Sequence, residues 1–187
     1  MKDKTPKKSP MLVYGTMIDL GCQEIKLRDH PWMSAKATKF LESILTARTS
    51  MLEIGAGGST IWLAKRVKKL VSLEHHIEWH KAVSKELMKR RITNTTLILD
   101  RYYAEHLDVL EEKFNVILVD GYERGKCLIR ASKMLKPGGY IILDDVAASL
   151  KTGDRSIKLA VEYMDKLGWK RRYFEKGHST MIWKRAK

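Results

Sequence analysis

The sequence has few cysteines and no long apolar run, and each shortage excludes a class of protein. Its 187 residues include two cysteines, Cys22 and Cys127, which are far apart and fit no zinc or redox spacing. No apolar stretch approaches the roughly 20 residues that span a bilayer. Residues 1–10 lack the apolar segment of a secretory signal. We therefore expect a single cytoplasmic domain in a reducing compartment.

Acidic residues are also scarce, with 22 against 36 lysines and arginines, for a formal charge of +14. Such an excess can indicate nucleic-acid affinity, an acidic substrate or simple solubility. The basic residues are dispersed and are not interleaved with aromatic residues in one run, so nucleic acid stays the alternative partner. The lysine-rich residues 1–10 predict a disordered tail. Residues 11–187 are expected to form one domain, of which residues 11–33 are an N-terminal arm or hairpin.

Strands and helices alternate after His30-Pro31, which predicts an α/β fold. The predicted strands are Ser50–Ile54, Leu70–Glu74, Thr95–Leu99, Asn115–Val119 and Tyr140–Leu143, followed by an antiparallel hairpin of Trp169–Phe174 and Thr180–Trp183. Helices are predicted after Ser34, over Ser59–Lys65, around Val83, near Ala104–Glu111, up to Leu135 before Pro137-Gly138-Gly139, and up to Gly168. Repeated β–α units favour a doubly wound, mostly parallel seven-stranded sheet with an antiparallel last strand and helices on both faces.

A glycine-rich turn, Gly55-Ala56-Gly57-Gly58, joins the first predicted strand to a helix and is typical of a nucleotide site. A phosphate-binding P-loop is excluded because no lysine precedes Ser59-Thr60. A dinucleotide fingerprint is disfavoured because Thr60 stands where its third glycine belongs, and because Glu53 would repel a pyrophosphate. A carboxylate suits a sulfonium and an ammonium, so we expect S-adenosylmethionine. Glu74, about 20 residues after the first glycine, is placed to accept hydrogen bonds from ribose hydroxyls.

Acidic residues recur at the carboxyl ends of the predicted strands, where ligands bind in such sheets. They are Glu53, Glu74, Asp100, Asp120 and the pair Asp144-Asp145. Taken singly, each could be an exposed strand-end acid. Together they predict a crevice suited to a cationic ligand on a protein that is basic as a whole.

The sequence from about Trp32 to Trp183 resembles the class I S-adenosylmethionine-dependent methyltransferases. The resemblance is carried by L-E-I-G-A-G-G-S-T, V-S-L-E-H-H, F-N-V-I-L-V-D-G-Y and L-K-P-G-G-Y-I-I-L-D-D. It implies that Glu53 lies near the methionine ammonium, partly through water, and that Glu74 holds the ribose with His75 beside it. The remaining residues implied to bind the cofactor are Gly55, Ala56, Gly57, Ser59, Thr60, Asp100, Arg101, Tyr102, Asp120, Tyr122, Trp32 and Met33. For Trp32 and Met33 ordinary core packing stays an equal alternative.

The ends of the fourth and fifth strands are similar to those of metal-dependent O-methyltransferases of the catechol and caffeoyl-coenzyme A type. That resemblance implies an Mg²⁺ site at Asp120, Asp144 and Asp145, which are also the candidate catalytic residues. An Asp in place of the family's Asn, and Glu123 in place of its catalytic lysine, depart from that pattern. In the competing interpretation Asp120 is a base acting alone and the Asp pair caps a turn. Glu123, Arg124 and His178 are weaker catalytic candidates.

The expected function is methyl transfer from S-adenosylmethionine to an oxygen or nitrogen of a small molecule. Two alternatives stay open: an RNA or DNA methyltransferase, and a non-catalytic nucleic-acid-binding module on the same fold. Asp120-Gly121-Tyr122 lacks the two prolines of the motif used to methylate exocyclic amino groups of bases. Methylation of cytosine C5 needs a cysteine nucleophile in a loop, and Cys127 lies within a helical pattern.

Overall fold

A computed structural model describes residues 25–151, 153–175 and 179–187, apart from the side chains of residues 148 and 149. The predictions for the tail, for Cys22 and for residues 11–24 of the N-terminal arm lie outside the described residues, as does His178. Residues 25–33, the rest of the predicted arm, are described and contain no helix or strand. In the described ranges, no helix is long and apolar enough to cross a membrane.

Seven strands form one sheet in the order β3-β2-β1-β4-β5-β7-β6. They are β1 (Ser50–Ile54), β2 (Lys69–Glu74), β3 (Thr95–Leu99), β4 (Phe114–Val119), β5 (Leu135–Leu143), β6 (Lys170–Phe174) and β7 (Thr180–Lys184). The first five pair in parallel, and β7 is antiparallel to both β5 and β6. The predicted fold class is confirmed.

Seven α-helices cover the two faces of the sheet within the described ranges. They are α1 (Ala35–Ile44), α2 (Gly58–Ala64), α3 (Ile77–Lys89), α4 (Tyr103–His106), α5 (Arg124–Ser132), α6 (Val146–Lys151) and α7 (Arg155–Lys166). Ser34 caps α1 as predicted, because its hydroxyl accepts a hydrogen bond from the Ala37 amide at 3.2 Å. Asp154 caps α7 in the same way through the Ser156 amide.

The two faces bury separate apolar clusters because successive strand residues point to opposite sides. On one face Met51 and Ile142 pack with Leu41 of α1 and Leu63 of α2. On the other, Leu52, Ile54 and Leu143 pack with the apolar sides of α5 and α7. Glu53 alternates with Leu52, so its side chain points to the face on which α2 begins.

Three predicted boundaries are corrected. Leu135 belongs to β5 and pairs with Phe114, so the helix before it ends sooner than expected. The strand passes through Pro137-Gly138-Gly139 by a register shift against β4, and such an irregularity tolerates proline. The helix expected near residues 104–111 is a single turn followed by a 3-10 turn over Leu107–Val109, and α6 was not predicted.

Candidate active site

The glycine turn brings the end of β1 against the end of β4. Gly55 has φ +98°, and its amide donates to the Leu73 carbonyl at 2.9 Å. A Cβ at this position would lie 2.7 Å from the Cα and N of Gly121. Only glycine combines that backbone angle with that close approach. Gly55 therefore joins the β1–β2 and β4–β5 parts of the carboxyl edge.

Glu53 supports the turn from inside the protein. Its side chain is fully buried, and its carboxylate accepts hydrogen bonds from Ser59 Oγ at 2.6 Å, Thr60 Oγ1 at 2.7 Å and Ser72 Oγ at 2.6 Å. Burial raises the pKa of Glu53 to about 7. The hydrogen bonds from the three hydroxyls lower this pKa, and the nearby charge of Asp120 raises it further. Three acceptor positions of this carboxylate are used by hydroxyl groups below the turn, and a place near the methionine ammonium, partly through water, stays a prediction. Ser59 and Thr60 are directed towards Glu53.

Open space lies above Gly57. A Cβ at Gly57 would have no protein atom within 4 Å among the described residues, and the backbone there is extended. The amide of Gly57 donates to Thr60 Oγ1 at 2.9 Å, which holds the turn against the start of α2. A ligand can therefore approach the main chain here without displacing a side chain.

Glu74 ends β2 beside the turn and is fixed by main-chain donors. Its Oε2 accepts from the Ala56 amide at 2.9 Å and its Oε1 from the His76 amide at 2.7 Å. A carboxylate offers about four lone-pair positions. The two amides use two of them, and His75 Nδ1 lies 3.1 Å from Oε1. Glu74 is therefore held in place and keeps acceptor capacity for hydroxyl groups.

Aromatic rings stand next to Glu74. The rings of His75 and Tyr122 stack at 5.5 Å with an interplanar angle of 21°. Tyr103, which the sequence reasoning missed, fixes Tyr122: its hydroxyl accepts from the Tyr122 amide at 2.5 Å and donates to the Tyr122 carbonyl at 3.1 Å. Burial raises the pKa of Tyr103, so this phenol stays protonated. The signal that could have found Tyr103 in the sequence was an aromatic residue shortly after Asp100, the acid that follows the third predicted strand.

The other predicted cofactor residues divide into positioned and exposed ones. Asp100 accepts from the Tyr102 amide at 2.8 Å, and its Oδ2 lies 2.7 Å from His106 Nδ1. Tyr102 is 66% exposed, and Arg101 is exposed as well. Trp32 is 64% exposed, whereas Met33 is buried in the cluster under α1. The packing interpretation fits Met33.

Asp120, Asp144 and Asp145 follow the ends of β4 and β5, and an arginine meets two of them. Arg124 Nη2 donates to Asp120 Oδ1 at 2.9 Å, and Arg124 Nη1 lies 3.7 Å from Asp145 Oδ2. Arg124 is mostly buried, with 19% of its side chain exposed. Glu123 and Asp145 both have positive φ, 50° and 56°, so the backbone on either side of this contact is strained.

Asp144 is the buried member of the set. It is 1% exposed, and its Oδ1 accepts from Thr180 Oγ1 at 2.5 Å. Burial, followed by the charge of Asp120, raises the pKa of Asp144 to about 7. Mutual repulsion is therefore relieved by a shared guanidinium and by a carboxyl group that holds a proton near neutral pH.

The arrangement does not fit the expected divalent metal. Among the described residues, no group of three or more histidine, cysteine, aspartate or glutamate side chains is placed to hold a metal ion. The guanidinium of Arg124 lies where a cation would have to meet Asp120 and Asp145, and Asp144 faces Thr180.

Cys127 is a packing residue of the apolar core. It is fully buried in α5, and burial raises the pKa of its thiol to about 12. A thiol needs to ionise to act as a nucleophile, so Cys127 is inert.

Comparison with known proteins agrees with this geometry. A family model described as a methyltransferase domain matches residues 52–146, which is about half of the chain. No curated protein sequence matches the chain significantly.

Solved structures share the fold at low sequence identity. An rRNA methylase from Streptococcus thermophilus has 18% identity and a TM-score of 0.66, over 81% of this chain and 95% of that one. A putative caffeoyl-CoA O-methyltransferase from Staphylococcus aureus has 12% identity and a TM-score of 0.69, over 84% and 87%. The O-methyltransferase TomG from Streptomyces achromogenes, in complex with SAM, has 18% identity and a TM-score of 0.65, over 83% and 82%. At these identities the likeness establishes the fold.

Proposed function

The chain belongs to the methyltransferase domain family, and on that premise we propose that it transfers a methyl group from S-adenosylmethionine to an oxygen or nitrogen of a small molecule. The observation that carries the cofactor part is Glu74, locked by two main-chain amides beside an open glycine turn. Its remaining lone pairs suit the two hydroxyls of a ribose. His75 and Tyr122 offer flat rings next to it for an adenine.

The acceptor part of the proposal depends on the charges around Asp120. Asp120 and Asp145 share the guanidinium of Arg124, and Asp144 lies beside them, so these four side chains carry a net negative charge whether or not Asp144 is protonated. Such a site disfavours a phosphate-bearing acceptor and favours a neutral or cationic one. A hydroxyl or amine held there can pass its proton to Asp120 as its lone pair forms the bond to carbon.

S-adenosylmethionine supplies an electrophilic methyl carbon on a sulfonium, and the electrons of the broken carbon–sulfur bond stay on sulfur. Such a displacement requires alignment more than acid–base power. In this chain Arg124 would hold Asp120 and Asp145 together in a fixed orientation, while Thr180 fixes Asp144. The proposal includes no Mg²⁺, because Arg124 already lies against Asp120 and Asp145.

The experiment combines cofactor binding with methyl transfer. Calorimetry should detect S-adenosylmethionine or S-adenosylhomocysteine, and Glu74→Ala should weaken binding by roughly 1.5–3 kcal/mol, the scale of hydrogen bonds to a charged group. Glu112→Ala, an exposed acid paired with Lys69 at the amino end of β2, is the control and should not change affinity. Absence of wild-type binding, or equal affinity in Glu74→Ala, contradicts the cofactor assignment.

The same preparation identifies the acceptor class when a labelled methyl group is offered to fractionated small molecules, RNA, DNA and protein. Label in the small-molecule fraction supports the proposal. Label in RNA supports the second candidate, an RNA methyltransferase, which is favoured by the charge of +14 and by the basic edge of the sheet described next.

A further inference from the structure

We propose that the β6–β7 edge of the sheet is a docking surface for the phosphate backbone of a nucleic acid. We call it the basic edge and define it by Lys170, Arg172, Lys184, Arg185 and Lys187. Two adjoining cavities lie on it, and both include Lys170 and Lys184. The larger, about 370 Å³, is lined by Gly168, Trp169, Lys170, Lys184, Arg185, Ala186 and Lys187. The smaller, about 90 Å³, is lined by Phe40, Tyr140, Lys170, Arg172, Ile182 and Lys184.

Among the described residues, neither cavity is lined by an aspartate or glutamate side chain. The salt bridges recorded among the described residues include none to Lys170, Arg172, Lys184 or Lys187. Arg171, on the other face of β6, differs because it pairs with Asp165 at 2.5 Å. The basic edge is therefore a concentration of positive charge that an external anion could neutralise.

The strand register places like charges opposite each other. Lys170 pairs with Lys184 across β6 and β7, and like charges directly opposite are destabilising. Arg172 follows on the same face, about 6.8 Å along the strand. Aromatic rings form the floor, since Arg172 lies 5.0 Å from the Phe40 ring and Lys184 lies 5.2 Å from the Tyr140 ring. These contacts hold the cations in position while leaving their charge unneutralised.

Protection of an exposed strand edge is the competing explanation, because lysines on edge strands discourage aggregation. The opposite edge argues against it. Strand β3 also ends the sheet, yet Thr95–Leu99 contains no charged residue. Protection alone does not explain why one edge carries the charges and the other carries none.

A repeating anion fits this surface better than a single one. The cations extend over two cavities and two strands, whereas one phosphate would occupy one cavity. The basic edge lies three strand spacings from β1 at β7 and four at β6, roughly 14–19 Å across the sheet, so its cations are separate from the glycine turn. The proposal therefore does not depend on the identity of the methyl acceptor.

The test uses the full-length protein and a labelled 20-nucleotide single-stranded RNA, with fluorescence anisotropy between 50 and 200 mM salt. The triple variant Lys170→Ala/Arg172→Ala/Lys184→Ala should lose tenfold affinity or more and show a shallower salt dependence, by about 0.7 per removed phosphate contact. The control removes the same charge from α3, where Lys81, Lys85 and Lys89 are exposed, and should lose less than twofold. Single-stranded DNA of the same length should bind similarly, since the contact is to phosphate.

Equal losses in the two triple variants would overturn the proposal in favour of diffuse attraction. Unchanged affinity in the β6–β7 variant would overturn it outright, as would tighter binding to phosphatidylserine vesicles than to the oligonucleotides. Both variants should bind S-adenosylmethionine like the wild type. Failure of wild-type cofactor binding would count against the proposed function alone.

Discussion

The carboxyl edge of the sheet has two halves that use the same kind of side chain in different ways. In the β1–β2 half, Glu53 and Glu74 accept hydrogen bonds from neutral hydroxyl and amide groups. In the β4–β5 half, Asp120 and Asp145 are held by the guanidinium of Arg124. Neutral donors fix the position of a carboxylate without neutralising its charge. An arginine fixes its position and also neutralises the charge.

The difference separates two tasks. An acid that keeps unused acceptor positions, such as Glu74, can bind the hydroxyls of a cofactor. An acid paired with a guanidinium is held in one orientation, which suits a group that must accept a proton at a fixed place. The half in which a residue lies thus predicts whether its removal affects binding or catalysis.

The largest expected effect is at the contact that joins the halves. Gly55→Ala should lower the free energy of unfolding by roughly 4 kcal/mol, because it adds an unfavourable positive φ to a clash with the Gly121 backbone. The matched variant Gly57→Ala meets open space and should stay within about 0.5 kcal/mol of wild type in urea unfolding. Similar stability of the two alanine variants would show that the halves are not packed as closely as described.

The next effect is the contribution of the buried Glu53 carboxyl group to the pH dependence of stability. Its folded pKa of about 7 lies above the ordinary value of 4.5, so the native state holds a proton that the unfolded state releases earlier. The stability it contributes is complete below pH 4.5 and is lost as pH rises through 7, a change of about 3 kcal/mol.

Glu53→Gln keeps an oxygen acceptor and has no proton to release. The decline in stability between pH 5 and pH 8, followed by urea unfolding, should therefore become smaller by about 3 kcal/mol. Glu112→Gln, on the exposed surface, should reproduce the wild-type profile. An unchanged profile in Glu53→Gln would mean that Glu53 is ionised in the native protein at all these pH values.

The two halves also differed in how far the sequence predicted them. The glycine turn, Glu74 and the bounds of β1 and β3 follow from local pattern, because strand, turn and helix there are continuous in the chain. The direction of Glu53 was not predictable, since it depends on Ser72, a residue of the neighbouring strand. Arg124 was only a weak candidate, because nothing in the sequence shows that one turn of α5 brings it to both Asp120 and Asp145.

The basic edge was missed for the same reason. Along the chain, Lys170 and Lys184 are separated by a whole hairpin, and Phe40 lies far before both. Only the pairing of β6 with β7, and of β7 with β5, brings these cations and aromatic rings together. Dispersed charge in a sequence can therefore become a concentrated surface when distant strands are neighbours.

The smallest expected effect concerns the β4–β5 half alone. Arg124→Lys keeps the positive charge but replaces a planar fork by a single ammonium, which cannot hold Asp120 and Asp145 together. Methyl transfer to the identified acceptor should fall roughly tenfold, about 1.4 kcal/mol of transition-state stabilisation, with unchanged cofactor affinity. Arg48→Lys, an exposed arginine before β1 at the amino end of the sheet, is the control and should leave the rate unchanged. Because Arg124 supplies the cation, excess chelator should not slow the wild type. Loss of activity in chelator that added Mg²⁺ restores would instead show that the carboxylates leave Arg124 to bind a metal, and the contrast between the two halves would then disappear.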